Sequence, residues 1–191
     1  MTTAILDACV LYPAALRDVF LWLAAESVYQ PRWTDTIHEE WIRAVLANRP
    51  DLTREQLERT RALMNQVDPE SLVRDYEGFI SSVALPDEDD RHVLAAAIAA
   101  KASVIVTFNL SDFPKKVLTP FRVRALHPDR FLVSLLRQEP SAFLEGLRKH
   151  RESLRRPPKT REEHLESLRR AGLAELTRRL AEHNAFRPDS A

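Results

Sequence analysis

Residues Asp87–Pro114, DEDDRHVLAAAIAAKASVIVTFNLSDFP, decide how the rest of the chain reads. Four carboxylates in a row, Asp87, Glu88, Asp89 and Asp90, open the stretch. A run dominated by Ala, Leu, Ile and Val follows from Val93 to Ala102, the composition of a helix packed into a core. Val104-Ile105-Val106 stands between polar neighbours and reads as a buried strand. Thr107, Asn109 and Asp112 then fall at the carboxyl end of that strand, where open α/β sheets bind their ligands. Helix and strand carry the chain out and back, so Asp90 at the helix start and Asp112 in the loop come to one edge. That is the outline of a metal site, and the remaining ligands have to come from elsewhere in the chain.

Toward the amino terminus, Thr3 to Tyr12 reads as a first strand ending near Asp7, with Pro13 placed to begin a helix. Leu16, Val19, Phe20, Leu23 and Ala24 repeat at helical spacing and predict a helix over 14–25. A short strand over 29–33 leads to Thr34-Asp35, both good caps for a helix over 36–48. In that helix Glu40 stands beside the apolar stripe of Ile37, Trp41 and Val45, and Glu39 points toward solvent. Thr53 and Gln56 form a capping-box pattern for a helix over 54–66, with Leu57, Leu63, Met64 and Val67 on its inner face. A helix or turn near 76–82 and a strand-like SSVALP come before the central stretch. After it, 121–125 reads as a strand and His127-Pro128-Asp129 leads a helix through Leu136. Helices alternating with short buried strands predict an α/β sandwich with a mainly parallel sheet.

From Glu139 onward the strand candidates stop. Pro140 and Pro157-Pro158 punctuate three helical runs, about 141–155, 160–171 and 173–184. The chain therefore divides into a main domain over 1–136 and a basic helical extension over 137–191. The first part carries 15 Lys+Arg against 19 Asp+Glu, the second 13 against 9, so a net charge of zero conceals a mildly acidic body and a basic tail. Within 148–161 alone stand Arg148, Lys149, Arg151, Arg155, Arg156, Lys159 and Arg161 against one Glu.

The composition excludes several classes. One cysteine, Cys9, rules out an internal disulfide and a thiolate zinc cluster. No run approaches the roughly 18 apolar residues of a membrane span, and no signal peptide precedes the first strand, so a cytoplasmic protein is expected. The six histidines, His38, His92, His127, His150, His164 and His183, read as structural or surface groups, and Cys9 as a core residue of the first strand. Trp22, Trp33 and Trp41 are expected to fill the core near the first two helices.

Four acids remain for chemistry: Asp7, Glu40, Asp90 and Asp112. Carboxylates gathered at a strand-end cleft repel one another unless a cation neutralises them, and Mg²⁺ or Mn²⁺ takes such oxygen ligands together with phosphate oxygens. An ion held there activates water for attack on a phosphodiester. Thr107 and Asn109 are placed to hold a carboxylate or a water. Taken singly, Asp7 reads more readily as a helix cap and Asp112 as readily as an N-cap or Asx-turn residue, whereas a solvated helix start accounts for one or two of Asp87–Asp90 but poorly for four in a row.

The order of these pieces, LDACVLYP, IHEEW, DEDDRHVLAAAIA and VIVTFNLSDFP, resembles the PIN-domain ribonucleases, and most closely the bacterial VapC-type toxins. The resemblance covers about residues 3–136, and the tail is similar to the extension of one subgroup. It implies a three-layer α/β/α sandwich and metal-dependent RNA cleavage. It also implies that Asp7, Glu40, Asp90 and Asp112 act as catalytic metal ligands, with Thr107 and Asn109 in support. Glu39 is the alternate to Glu40, and Asp87 or Asp89 shares the work of Asp90. The partners implied are RNA, a cognate antitoxin protein and a second copy of the chain in a homodimer. The seven basic residues of 148–161 are assigned to contact RNA or a partner. Two rival functions share this scaffold, a housekeeping nuclease of RNA processing and a binding protein without catalysis.

Overall fold

The computed structural model describes residues 1–182. Four short strands form one sheet: β1 (Thr3–Leu6), β2 (Gln30–Arg32), β3 (Val104–Val106) and β4 (Arg124–Leu126). Their order is β2-β1-β3-β4 and every pair is parallel, with Ala4 opposite both Pro31 and Val104, and Val104 opposite Arg124. Parallel neighbours require a crossover between them, and helices supply each one. The two central strands are buried throughout, from Ala4 to Leu6 and from Val104 to Val106, as strands covered on both faces must be. The fold is thus the α/β class that the alternating pattern predicts.

The described residues pack as two compact units, 1–12 with 29–127, and 13–28 with 128–182. The change in composition falls at 136/137, whereas this division by packing places 13–28 and 128–136 with the tail helices.

The first unit holds the sheet with α1 (Ala8–Leu11), α3 (Asp35–Asn48), α4 (Arg54–Met64), α5 (Glu77–Ile80), α6 (Arg91–Ala99) and α7 (Lys115–Leu118). Helix α6 packs on β1 and β3, which explains why Val93 to Ala97 are buried without interruption. Thr34 caps α3 by accepting the Ile37 N–H at 3.1 Å, and Thr53 with Gln56 closes the expected capping box on α4. On edge strand β2 the buried Arg32 guanidinium is paired with Asp68 and Glu70 at 2.8 and 2.7 Å, so its charge is compensated.

The second unit is helical: α2 (Ala14–Ala25), α8 (Pro128–Gln138), α9 (Pro140–Ser153), α10 (Arg161–Arg170) and α11 (Ala174–Glu182). Helix α2 packs on α9, and the Phe20 and Phe131 rings stack with centroids 6.2 Å apart. Gly146 permits the α2–α9 approach, because a Cβ there would meet Leu23 Cδ2 at 3.1 Å and the Trp22 carbonyl oxygen at 3.4 Å. Buried Asp129 on α8 accepts the Glu175 and Leu176 N–H groups, each at 2.8 Å, and so caps α11 where the preceding residue, Leu173, has no side chain to do it. No helix among the described residues is long and apolar enough to cross a membrane.

Several local expectations are corrected. The first strand stops at Leu6 and a helical turn, α1, takes residues 8–11, so Cys9 is not a strand residue. SSVALP forms no strand: Val83 and Leu85 are buried in alternation, but no backbone ladder forms beside them. Residues 119–121 form a 3-10 turn and Arg122 is left-handed, which delays β4 to Arg124. A second 3-10 turn spans Leu110–Asp112. Leu63, assigned to the inner face of α4, is 65% exposed. His183 and the end of the expected 173–184 helix lie outside the described residues.

Candidate active site

Strands β1 and β3 are neighbours with Leu6 opposite Val106, so the residues that follow them, Asp7 and Thr107, stand side by side. The Asp7 N–H donates to the Val106 carbonyl at 3.1 Å, which continues the ladder and fixes the Asp7 backbone. Buried Thr107 donates its hydroxyl to Asp7 Oδ2 at 2.6 Å and accepts the Asn109 N–H at 3.0 Å. The Cys9 thiol also donates to Asp7 Oδ2, at 3.1 Å. Burial, reinforced by the Asp7 charge, pushes that thiol up to about 12, so it stays protonated as a donor. Among the described residues, Asp7 Oδ1 takes no hydrogen bond.

Asp7 lines a cleft of about 560 Å³ with Glu40, Asp89, Asp90 and Asn109. Cys9, Tyr12, Trp41, Arg43 and Asn48 also stand in its wall. Glu40 enters from α3, and its Oε1 lies 2.9 Å from His92 Nε2 on the first turn of α6. His92 is almost wholly buried and its Nδ1 has no partner, so the ring is directed at Glu40. Asp90 occupies the position just before α6, but its side chain makes no capping hydrogen bond. Its carboxyl is raised to about 6, first by burial and then by the charges of Asp7, Asp87 and Asp112, with His92 opposing. A carboxyl held up by three other carboxylates marks a site with an excess of negative charge.

The remaining assigned acids are placed differently. Asp112 sits in the 3-10 turn after β3, accepts the Ser111 hydroxyl at 3.2 Å, and reaches Asp90 through its charge rather than by lining the cleft. Asp87 accepts the Asp89 N–H at 2.9 Å and so ties its own loop. Glu39 is exposed and paired with Arg54 and Arg61 at 3.1 and 3.2 Å. Among the described residues, no group of three or more His, Cys, Asp or Glu side chains is placed to hold a metal ion. The chemistry of the donors does fit one: carboxylate oxygens, one already costly to ionise, are what a hard divalent cation takes and relieves.

His92 and Cys9, read from the sequence as bystanders, both bond to site carboxylates. The position of His92, two residues past Asp90 on a helix entering the core, is the signal that could have marked it. Trp33 and Trp41 are buried as expected, and Trp41 also borders the cleft.

In the helical unit the basic segment is partly tied to neighbouring groups. Arg148 bonds Glu145 and Glu152, each at 2.6 Å, Lys149 bonds Glu26 at 2.7 Å, and Arg151 reaches the Lys159 carbonyl at 3.4 Å. The Lys159 ammonium bonds Ser167 at 2.6 Å. Arg155 and Arg156 are exposed in the turn between α9 and α10, and Arg161 begins α10.

Residues 2–111 match the family model described as PIN domain, and residues 128–182 match that described as VapC50 C-terminal domain. Over 47 residues the chain is 57% identical to the Mycobacterium tuberculosis (strain ATCC 25618 / H37Rv) protein named "Putative ribonuclease VapC50". That match covers 25% of this chain and 28% of the relative's length. No solved structure matches the chain.

Proposed function

The chain belongs to the PIN-domain family, and from that premise we propose that it is a Mg²⁺- or Mn²⁺-dependent endoribonuclease, the toxin of a type II toxin–antitoxin pair. The observation that carries this reading is the Asp90 carboxyl, raised to about 6 in a cleft it shares with Asp7 and Glu40. Asp7, Glu40, Asp90 and Asp112 are the proposed ligands, with Asp89 in the same cleft. A bound divalent ion supplies neutralisation of the phosphodiester charge and a water acidic enough to attack phosphorus.

The protein's part is to aim the oxygens. Thr107 and Cys9 both donate to Oδ2 of Asp7, which leaves Oδ1 available to a ligand. His92 holds Oε1 of Glu40, and among the described residues Oε2 takes no hydrogen bond. Asn109, on the cleft wall, offers its amide to a phosphate oxygen or a water. In this reading residues 1–136 form the nuclease and 137–191 an extension that contacts a partner, with Arg155 and Arg156 among its exposed cations. An antitoxin inhibits by setting a basic side chain among the cleft acids.

The test is cleavage of a mixed structured RNA by the purified chain. Cleavage is expected with Mn²⁺, and none is expected with EDTA or with Asp7→Asn or Asp90→Asn, both retaining the native circular dichroism spectrum. Full activity in both variants overturns the site assignment, and full activity in EDTA overturns the metal dependence.

A further inference from the structure

The sheet unit carries a cationic surface that the acid cleft does not use. From Phe113 to His127 there are four basic residues, Lys115, Lys116, Arg122 and Arg124, and no Asp or Glu. All four are exposed, as is Lys101, and among the described residues none of the five makes an ion pair or a side-chain hydrogen bond. The contrast is with the paired arginines of the tail, where Arg148, Arg169, Arg170 and Arg178 are each held by a glutamate at 2.6–2.9 Å, although Arg155 and Arg156 there are exposed too. A paired guanidinium must give up its partner to meet another anion, and an unpaired one need not.

These five cations are gathered by the fold. Helix α7 packs on β4 and on the 119–121 turn, and Lys101 shares a concave pocket with Phe121 and Arg122. Strand β4 is an edge of the sheet, and the Phe121 ring beside it is 36% exposed. Lys101 and Arg122 have φ of 52° and 60°, left-handed positions where glycine is the residue of least strain. The chain places a cation at both. The surface begins at α7, three residues beyond Asp112, and ends at Arg124, which pairs with Val104 at the end of the strands away from Thr107. A three-residue strand spans only about 10 Å, so along the strand direction Arg124 lies about that far from the end that carries Asp7 and Thr107.

We propose that Lys101, Lys115, Lys116, Arg122 and Arg124 hold the phosphate backbone of single-stranded RNA leading away from the acid cleft, with Phe121 a stacking platform for one base. The inference rests on the ribonuclease reading. The chemistry favours RNA over an acidic peptide because unpaired cations flank an exposed aromatic face, the combination that tracks a backbone and stacks a base without reading sequence.

The test is anisotropy of a labelled single-stranded RNA with the full chain across a salt series, run in EDTA and in Mg²⁺. Removing one phosphate-binding cation flattens the slope of log K against log salt by about 0.7. Arg122→Gln/Arg124→Gln is expected to flatten it by about 1.4 and Arg122→Gly, which relaxes the left-handed backbone, by about 0.7. Arg169→Gln/Arg178→Gln is expected to change neither slope nor affinity. Wild-type RNA binding with an unchanged slope in the two Arg122 variants overturns the surface and leaves the nuclease reading standing. Absence of RNA binding by the wild type in both buffers overturns both. RNA affinity retained in Arg122→Gln/Arg124→Gln while affinity for a polyglutamate peptide is lost overturns it in favour of an acidic protein partner.

Discussion

Glu40 Oε1 and His92 Nε2 lie 2.9 Å apart, so a carboxylate of α3 that lines the cleft is held by a buried imidazole of α6. An ionised carboxylate only accepts, which puts the proton on Nε2. His92→Ala removes the donor and frees Glu40 to rotate. Loss of such a supporting group typically costs 10–100-fold in metal affinity or activity. Calorimetric Mn²⁺ titration is expected to show that loss, with partial recovery in His92→Gln, whose amide can still donate. Wild-type Mn²⁺ affinity in the alanine variant would show that His92 only fills space.

Thr107→Val keeps the shape of the side chain and deletes the hydroxyl between Asp7 and the Asn109 N–H. A hydrogen bond to a charged group is worth about 1.5–3 kcal/mol, so urea unfolding is expected to show a loss in that range. Thr107→Ser should return most of it. If valine and serine variants unfold at the same urea concentration, the hydroxyl contributes nothing to stability.

His164 Nε2 and His150 Nδ1 meet at 3.0 Å in the interior of the helical unit. Burial, with nearby positive charge, lowers His150 from 6.5 to about 4 and His164 from 6.5 to about 3. The unfolded chain therefore binds protons that the folded chain refuses. The sign follows: their contribution is fully present above about pH 6.5, is lost as pH falls toward 4 and 3, and changes no further below that. Each pH unit of depression corresponds to about 1.4 kcal/mol, a few kcal/mol for each ring over its own window. Denaturation at pH 7 and pH 4.5 is expected to show a smaller acid loss in His164→Gln than in wild type, and equal losses would remove the pair as the cause.

Asp129 satisfies two backbone donors of α11 from a position 46 residues earlier. Asp129→Ala leaves both N–H groups without their acceptor, and a loss of about 2–3 kcal/mol is expected from urea unfolding. Asp129→Asn, with one carbonyl oxygen, should lose about half as much. An alanine variant as stable as wild type would mean that water caps the helix equally well.

The parts of the fold that were legible are those set by a single strong local rule. Alternating burial and capping chemistry placed α2, α3 and α4 within two residues at each end, through Thr34, Thr53 and Gln56. Val104–Val106 was readable as a strand because three β-branched residues in a row tolerate burial on both faces. Val83 and Leu85 misled because period-two burial is necessary for a strand but does not supply a neighbour to pair with. Arg122 misled because a left-handed residue without glycine has no sequence signature. Of the acids named from type and order, Asp7, Glu40 and Asp90 line one cleft and Thr107 bonds Asp7 behind it, whereas Asp112 stands outside the lining. The role of His92 was not legible, because its bond to Glu40 arises from neighbours set by the fold, and that of Cys9 was not, because a helical turn at 8–11, in place of the expected strand, turns its thiol back to Asp7 two residues earlier.

The helical unit is built from two stretches that leave the ribosome far apart in time. Helix α2 is finished at Ala25, but its packing partner α9 does not begin until Pro140, 115 positions later. At about 5–20 residues per second that interval is on the order of ten seconds. The strands of the sheet unit, closed by Leu126, are complete before α9 emerges. Phe20 and Leu23, later covered by Phe131 and Gly146, meanwhile wait without those partners on a nascent chain. Translation speed through residues 26–140, and whatever chaperone reaches that apolar face first, therefore bear on the yield of native protein as directly as any contact in the finished molecule.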